Sequence, residues 1–387
     1  MTYLKRKNFV LYFIVVFLFF ISCSNNSTNS SAPSGGGNGT SPKEVTVTYS
    51  TICQYGDNPS LDIDSNGNPH VSFIDRNDKK IKYAFKQDNI WDLMAIEYIP
   101  NLFTSMGVNG ISVDSKNSPH VIYDFLNDST PLCYRYAEMV AQNFQITTIN
   151  LPKDPVNPSY NCIPNYYSSI CVNKITDESH VLLSFLSTSI GGLAYWKTGM
   201  ANSIIIAPSD YQTEFILGKN AITLDNSGNP HICYIERDNG TDYLKYAWFD
   251  GNSFNFETID TVSATWSLPT IELDNNNNPH VAYLTGILYH AYKSNNTWVK
   301  EVVINGGWEE PNFNFSLDNN GMPHFIFEDA GGSLYYRYWN NINWVDKIIS
   351  DEICGANAIK VDRKTGKVHI VYTEGLIDWY LKYALVE

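Results

Sequence analysis

Seven of the chain's eight histidines recur in one setting: an alternating stretch, an acid or amide, a polar turn, and then the histidine. They are His70, His120, His180, His231, His280, His324 and His369. The acid lies six residues upstream in Asp64/His70, Asp114/His120, Asp225/His231, Asp274/His280 and Asp318/His324. One extra turn residue separates Asn173 from His180 and Asp362 from His369. A histidine beside a carboxylate can ligate a metal or serve as an oriented general base. The Asp-x-Asn-Gly turns also have the start of a calcium loop, but the remaining ligands and the closing Glu are missing. Repetition argues for scaffold instead. An active site needs its constellation once, and a buried imidazole needs a partner, which the strand-ending acid offers. The seven histidines are therefore expected to be structural, with no metal and no cofactor; the cysteines contain no C-x-x-C zinc pattern.

The elements that carry these residues follow from the repeat. "LDIDSNGNPHVSF" is echoed by "ISVDSKNSPHVIY", "ITLDNSGNPHICY", "IELDNNNNPHVAY" and "FSLDNNGMPHFIF", with looser copies "ICVNKITDESHVLL" and "IKVDRKTGKVHIVY". Successive histidines are 50, 60, 51, 49, 44 and 45 residues apart. Each unit parses into four short strands joined by turns. In the first unit these are "SLDID", "PHVSFID", "IKYAFKQ" and "IWDLMAIEYI". The third strand repeats an aromatic, read as Tyr83, Tyr134, Tyr195, Tyr246, His290, Tyr336 and Tyr383. The fourth usually opens on a large ring: Trp91, Phe144, Phe254, Trp298 and Trp344. Four-stranded units of this length are blades, and radial repetition protects their edges. The seventh unit stops at Glu387 after its third strand, and "EVTVTYS" (44–50) can supply the fourth. The expectation is an all-β, seven-bladed β-propeller with four antiparallel strands per blade, spanning 44–387 and closed by strand 44–50 in the last blade.

The units resemble the D-x-x-G-N-P-H-[VI]-x-[YF] … L-K-Y-A-x-[WF] … W-x-x-E repeats of exported bacterial and archaeal β-propellers, loosely grouped with sialidase-like repeat proteins. Leu224 to Ile259 matches that pattern almost throughout, and the resemblance covers the chain from residue 44 onward. It implies the fold and leaves function open, because propellers host unrelated activities.

Ahead of the repeats, Lys5, Arg6 and Lys7 precede the apolar run Phe9 to Ile21 and then Ser22-Cys23. The run has 13 residues, short of the ~20 a spanning helix needs. The arrangement resembles a bacterial lipoprotein signal (1–22), which implies cleavage before Cys23 and lipid attachment to it, with Phe20 a departure where Leu is usual. An ordinary secretory signal is the alternative; either exports the protein. Residues 23–43 hold the lipidated cysteine and a Ser/Gly/Asn-rich tether, too polar to fold alone. By the same resemblance Ser24, in place of an inner-membrane retention Asp, favours the outer membrane or cell surface, with the lipid as the membrane contact.

The net charge is −14, which repels phosphate backbones, so nucleic acid is not an expected partner. A monomer is expected. Export permits disulfides. Cys53 and Cys354, placed in loops leading into the first strands of blades 1 and 7, are a candidate pair stapling the ring; Cys133, Cys171 and Cys233 read as small buried apolar residues.

If repeated residues are scaffold, function belongs where blades differ. The loops leaving the second strands and those leading into the first strands share one face. The former carry Asp75, Arg76, Glu236, Arg237 and the acid pair Glu328/Asp329; the latter carry Tyr166 and Tyr167 in a loop over 151–169, Tyr211, Trp266, and Trp308 with Glu309 and Glu310. Rings beside carboxylates and amides can stack on a sugar and bind its hydroxyls. The best-supported role is a non-catalytic module binding glycan or protein through this face. The alternatives are a glycan-directed enzyme and a partner-docking scaffold. Sialidase chemistry is disfavoured: beyond residue 43 there are five arginines (Arg76, Arg135, Arg237, Arg337 and Arg363) and no Asp box. Paired acids leave glycoside hydrolysis open.

Overall fold

Alternation of apolar and polar residues over five to nine positions, broken by Asx-rich turns, makes each repeat a meander. The computed structural model describes residues 45–387 except 101–108, 127–131, 211–213, 239, 263–267, 306–311, 341 and 377–378. It contains seven antiparallel sheets arranged as blades in a ring: a seven-bladed β-propeller. The first strands form the inner wall. They are Gly56–Ile63, Asn109–Val113, Ile163–Val172, the pair Glu214–Ile216 and Ile222–Leu224, Thr270–Leu273, Phe313–Leu317 and Cys354–Val361.

The last blade orders its strands Val47–Gln54, Tyr380–Val386, Val368–Glu374 and Cys354–Val361 from rim to axis. The N-terminal strand thus closes the ring, running antiparallel to the C-terminal one from Val47↔Val386 to Gln54↔Tyr380. Thr46 and Glu387 exchange backbone hydrogen bonds of 3.0 Å beyond its end. The strand extends four residues past the expected 50, because Tyr380–Val386 offers an unpaired edge that far.

That register also overturns the Cys53–Cys354 staple. Both cysteines lie in strands of the same blade, Cys53 at the rim and Cys354 at the axis, with two strands between them. Three strand spacings of ~4.8 Å exceed the reach of a disulfide, and both thiols are free, as are Cys162 and Cys171.

Apolar clusters lie between successive blades, as with Ile74, Ile81, Ile111, Val121 and Tyr123 of blades 1 and 2. The repeated histidine sits at the edge of this packing. His Nδ1 meets a third-strand partner in every blade: Tyr83 Oη 2.7 Å from His70, Tyr136 2.6 Å from His120, Tyr195 2.6 Å from His180 and Tyr246 2.5 Å from His231. His290 stands 2.9 Å from His280, Tyr336 2.6 Å from His324 and Tyr383 2.8 Å from His369. The blade 2 partner is Tyr136, and not Tyr134, whose hydroxyl donates to the carbonyls of Tyr167 and Ser184 in blade 3. The upstream acid plays a different part from the one expected. Asp64, Asp114 and Asp225 stand 3.4–3.8 Å from Nε2, beyond a good hydrogen bond. Their Oδ1 atoms accept two turn amides each, such as Asn66 N and Asn68 N at 2.8 Å for Asp64. The acid builds the hairpin turn, and the tyrosine anchors the imidazole. Burial lowers the pKa of His180, His280, His324 and His369 to about 4, so these rings are neutral spacers.

Candidate functional site

The inner strands have one edge in a sheet and the other facing the axis. Amides on that free edge need acceptors. They find them on the preceding blade, at the position two before the turn acid. Asp62 Oδ2 accepts from Val113 N at 2.8 Å, Ser112 Oγ from Val172 N at 3.0 Å, Glu272 Oε2 from Leu317 N at 3.0 Å and Ser316 Oγ from Val361 N at 3.1 Å. Aligned on the turn acid, this position reads Asp62, Ser112, Cys171, Thr223, Glu272, Ser316 and Lys360. It is polar in nearly every blade while its neighbour Leu61, Ile111, Ile170, Ile222, Ile271, Phe315 or Ile359 packs between blades.

Three of these seven carry charge, and two turn residues join them. Glu272 is the hub. Its Oε1 accepts from Ser316 Oγ (3.0 Å) and Lys360 Nζ (2.8 Å), and its Oε2 from Arg363 Nη2 (2.8 Å) as well as Leu317 N. Burial alone would raise the carboxyl's pKa; Lys360 and Arg363 outweigh it and bring it to about 2. Asp62 is also held below its ordinary value, burial being overcome by Lys174 and Lys360. Lys174 of blade 3 reaches Asp62 of blade 1 at 3.4 Å. The charges therefore brace blades 1 to 3 and 5 to 7 and largely neutralise one another.

Around this brace lies a cavity of about 560 Å³ that opens among the Asp turns. Its walls alternate apolar side chains of the inner strands with Ser112, Thr223, Asn173, Asn226, Asn275 and Asn277. This is the turn face, opposite the loop face on which the sequence placed the ligand.

At the loop-face end, side chains cross the ring. Lys219 Nζ of blade 4 donates to the Pro59 carbonyl of blade 1 (2.7 Å), and Asn220 Nδ2 donates to Asn314 Oδ1 of blade 6 (3.2 Å). Burial lowers the Lys219 amine to about 7 against the opposing charge of Asp57. Between blades 6 and 7, burial raises Glu328 to about 7, although Asn312 and Asn357 each donate to it at 3.3 Å. Asp329 is separately engaged, its Oδ1 accepting Gly331 N and Ser333 N.

The residues expected on the loop face fall into three groups. Trp266, Trp308, Glu309 and Tyr211 lie outside the described residues, as does Cys23, and Tyr166 is described in backbone only, within Ile163–Val172. Tyr167 is not an exposed ring: it is buried in the cluster around Tyr234 and Ile235. Asp75, Arg76, Glu236 and Arg237 are at strand ends and engaged in ion pairs: Asp75 with Lys82 (2.7 Å), Arg76 with Asp57 (2.5 Å), Glu236 with Lys245 (3.7 Å) and Arg237 with Asp242 (2.8 Å). The channel residues Asp62, Lys174, Glu272, Lys360 and Arg363 were missed. The signal was available, since the rule of looking where blades differ exposes them once the inner strands, and not only the loops, are aligned.

No family model matches the chain, and no curated protein does. Solved structures share the fold. One is a protein of unknown function from Dyadobacter fermentans, at 9% identity, covering 89% of this chain and 98% of that one, TM-score 0.51. Another is an ulvan lyase, a polysaccharide lyase bound to -[GlcA(1-4)Rha3S]-, at 12% identity, 86% and 94% coverage, TM-score 0.57. At these identities the likeness is one of fold.

Proposed function

We propose that the protein is an exported, lipid-anchored binding module that holds a saccharide in the cavity of its ring without turning it over. The cavity itself carries this reading. Its roughly 560 Å³ falls in the range of small-ligand sites, and its amide and hydroxyl side chains match a polyol's hydroxyls. The apolar inner-strand walls match the C–H faces of a sugar ring. The brace leaves little net charge for an ionic ligand. Catalysis is disfavoured by the state of the carboxylates in the wall. Glu272 at about 2 and the lowered Asp62 stay ionised at neutral pH, whereas glycoside hydrolysis needs a protonated acid beside its partner. The ulvan lyase likeness contributes the fold and no residue of the site.

A glycan array probed with the protein lacking residues 1–43, followed by turnover assays on each hit, tests this. Binding without turnover is expected. Thr223→Tyr, whose ring would fill the cavity, should abolish binding with the fold retained. Binding that survives Thr223→Tyr would return the site to the loop face around Tyr211, Trp266, Trp308 and Glu309. One observation favours an enzyme as the second reading: Glu328 carries its proton up to about pH 7, as a general acid must. Turnover lost in Glu328→Gln would establish it.

A further inference from the structure

One polar contact recurs between blades. In blades 2 and 5 the tyrosine three residues after the repeat histidine is buried against the preceding blade and donates its hydroxyl to an acid there. Tyr123 meets Glu97 at 2.7 Å, and Tyr283 meets Asp260 at 2.8 Å. In blade 7 that tyrosine is Tyr372, which is 2% exposed. Ser350 holds the acid's position: Glu97, Asp260 and Ser350 stand opposite Ile81, Leu244 and Leu334 at the equivalent register of their sheets. The serine hydroxyl does not reach Tyr372 and donates to Glu374 Oε1 at 3.1 Å instead. The Tyr372 hydroxyl is left without a hydrogen-bond partner among the described residues, and it borders a cavity of about 410 Å³. A buried polar group needs a partner, and one that faces a cavity can take it from a ligand.

The cavity's walls come from blade 6 and from the strand that closes the ring. Tyr372, Lys382 and Thr51 form one row across three strands of blade 7, through the pairs Tyr372↔Lys382 and Thr51↔Lys382. Tyr49, two residues from Thr51 and so on the same face, adds a ring that is 55% exposed. Ile349 and Asp351 belong to the blade 6 side. Opposite charges thus line one space. Lys382 Nζ stands 3.6 Å from Glu374 Oε2, beyond a good hydrogen bond, so its N–H donors can turn to a ligand. Asp351 is exposed, and its carboxylate has no partner among the described residues.

We propose that this cleft binds a free α-amino acid with an apolar or aromatic side chain. Such a zwitterion brings a carboxylate to the Lys382 ammonium and the Tyr372 hydroxyl, both donors, and an ammonium to the Asp351 carboxylate, an acceptor. The Tyr49 ring and Ile349 offer apolar surface to the side chain. The volume falls in the range of small-ligand sites. A simple anion or cation would leave one of the two charges unmatched, and a neutral polyol would leave both. The cleft is separate from the cavity in the ring, with which it shares no lining residue.

Titration calorimetry of the purified protein at pH 7 with L-phenylalanine, L-phenylalaninamide and 3-phenylpropanoate reads the part played by each charge. L-Phenylalanine is expected to bind at least ~10-fold more tightly than the amide, which lacks the carboxylate, or the propanoate, which lacks the ammonium. Asp351→Ala should remove the advantage over 3-phenylpropanoate and leave 3-phenylpropanoate itself unaffected. Tyr49→Ala should weaken all three. Both side chains are exposed, so both variants should melt with the wild type. Thr223→Tyr, which fills the other cavity, should leave phenylalanine binding unchanged. No binding of phenylalanine, equal affinity for the three compounds, or binding that is lost in Thr223→Tyr and kept in Asp351→Ala and Tyr49→Ala would overturn the proposal. The saccharide reading rests on other residues, so the two readings fail separately.

Discussion

Replacing Glu272 by Gln tests whether the channel charges hold the ring together. The carboxylate accepts from Ser316, Leu317 N, Lys360 and Arg363, all in blades 6 and 7. Gln keeps the shape but presents an N–H₂ where one pair of donors now points. Two routes give the size. The carboxyl moves from 4.5 to about 2 on folding, which at ~1.4 kcal/mol per unit amounts to about 3 kcal/mol favouring the ionised form. Breaking a buried ion pair costs ~3–5 kcal/mol, and here the Lys360 and Arg363 side chains are 33% exposed, so water takes over part of the loss. We expect about 2–3 kcal/mol. With ~2 cal/mol/K of unfolding entropy per residue, a ring of this size melts roughly 3–4 °C lower. The pH dependence adds a second reading. A carboxyl whose pKa is depressed in the folded state contributes fully above its unfolded value and loses that contribution as pH falls through the folded one. The gap between wild type and Glu272→Gln should therefore be full at pH 7 and close between about pH 4.5 and 2. Calorimetric melts at pH 7, 4 and 2.5 would measure it. Equal melting at pH 7, or a gap that does not shrink by pH 2.5, would refute the brace.

Further outcomes follow from other parts of the ring. Glu328 has the opposite sign: its pKa is raised from 4.5 to about 7, so its contribution to stability falls as pH rises across that window. Glu328→Gln should melt above wild type at pH 8, by up to about 3 kcal/mol, and level with it near pH 4.5, by the same calorimetry. Tyr246→Phe removes the hydroxyl 2.5 Å from His231 Nδ1 and should cost about 1–3 kcal/mol in urea unfolding. Removing residues 1–43 should leave the melt unchanged, whereas removing 1–54 strips the strand paired to Tyr380–Val386 and should leave a protein that aggregates or unfolds. Alkylation in denaturant without reductant should modify both Cys53 and Cys354, as mass spectrometry would show.

Most of the frame was readable from one line of residues because its causes are local. Asp64 and Gly67 make a hairpin through bonds spanning four residues, and alternation in "PHVSFID" marks a strand, which the ring then buries along its whole length. Counting such units, and noting a missing last strand, was enough for blade number and closure. Local reasoning failed where two candidates lay one alternation apart. Tyr134 and Tyr136 share a strand and a face, and the register of His120 opposite Glu138 selects Tyr136. It failed again at Cys53, because the length of the closing strand depends on the edge it pairs with.

By itself, then, the sequence determined the seven blades, their strand order and the repeated histidine of each hairpin, since these rest on turn chemistry and two-residue periodicity. Tertiary structure alone decided the axis. Glu272 and Arg363 are 91 residues apart, and Lys219 and Pro59 are 160. They meet because seven inner strands converge on a channel narrow enough for a lysine to span. That distance depends on how the blades pack and on a break in blade 4 that no periodicity records.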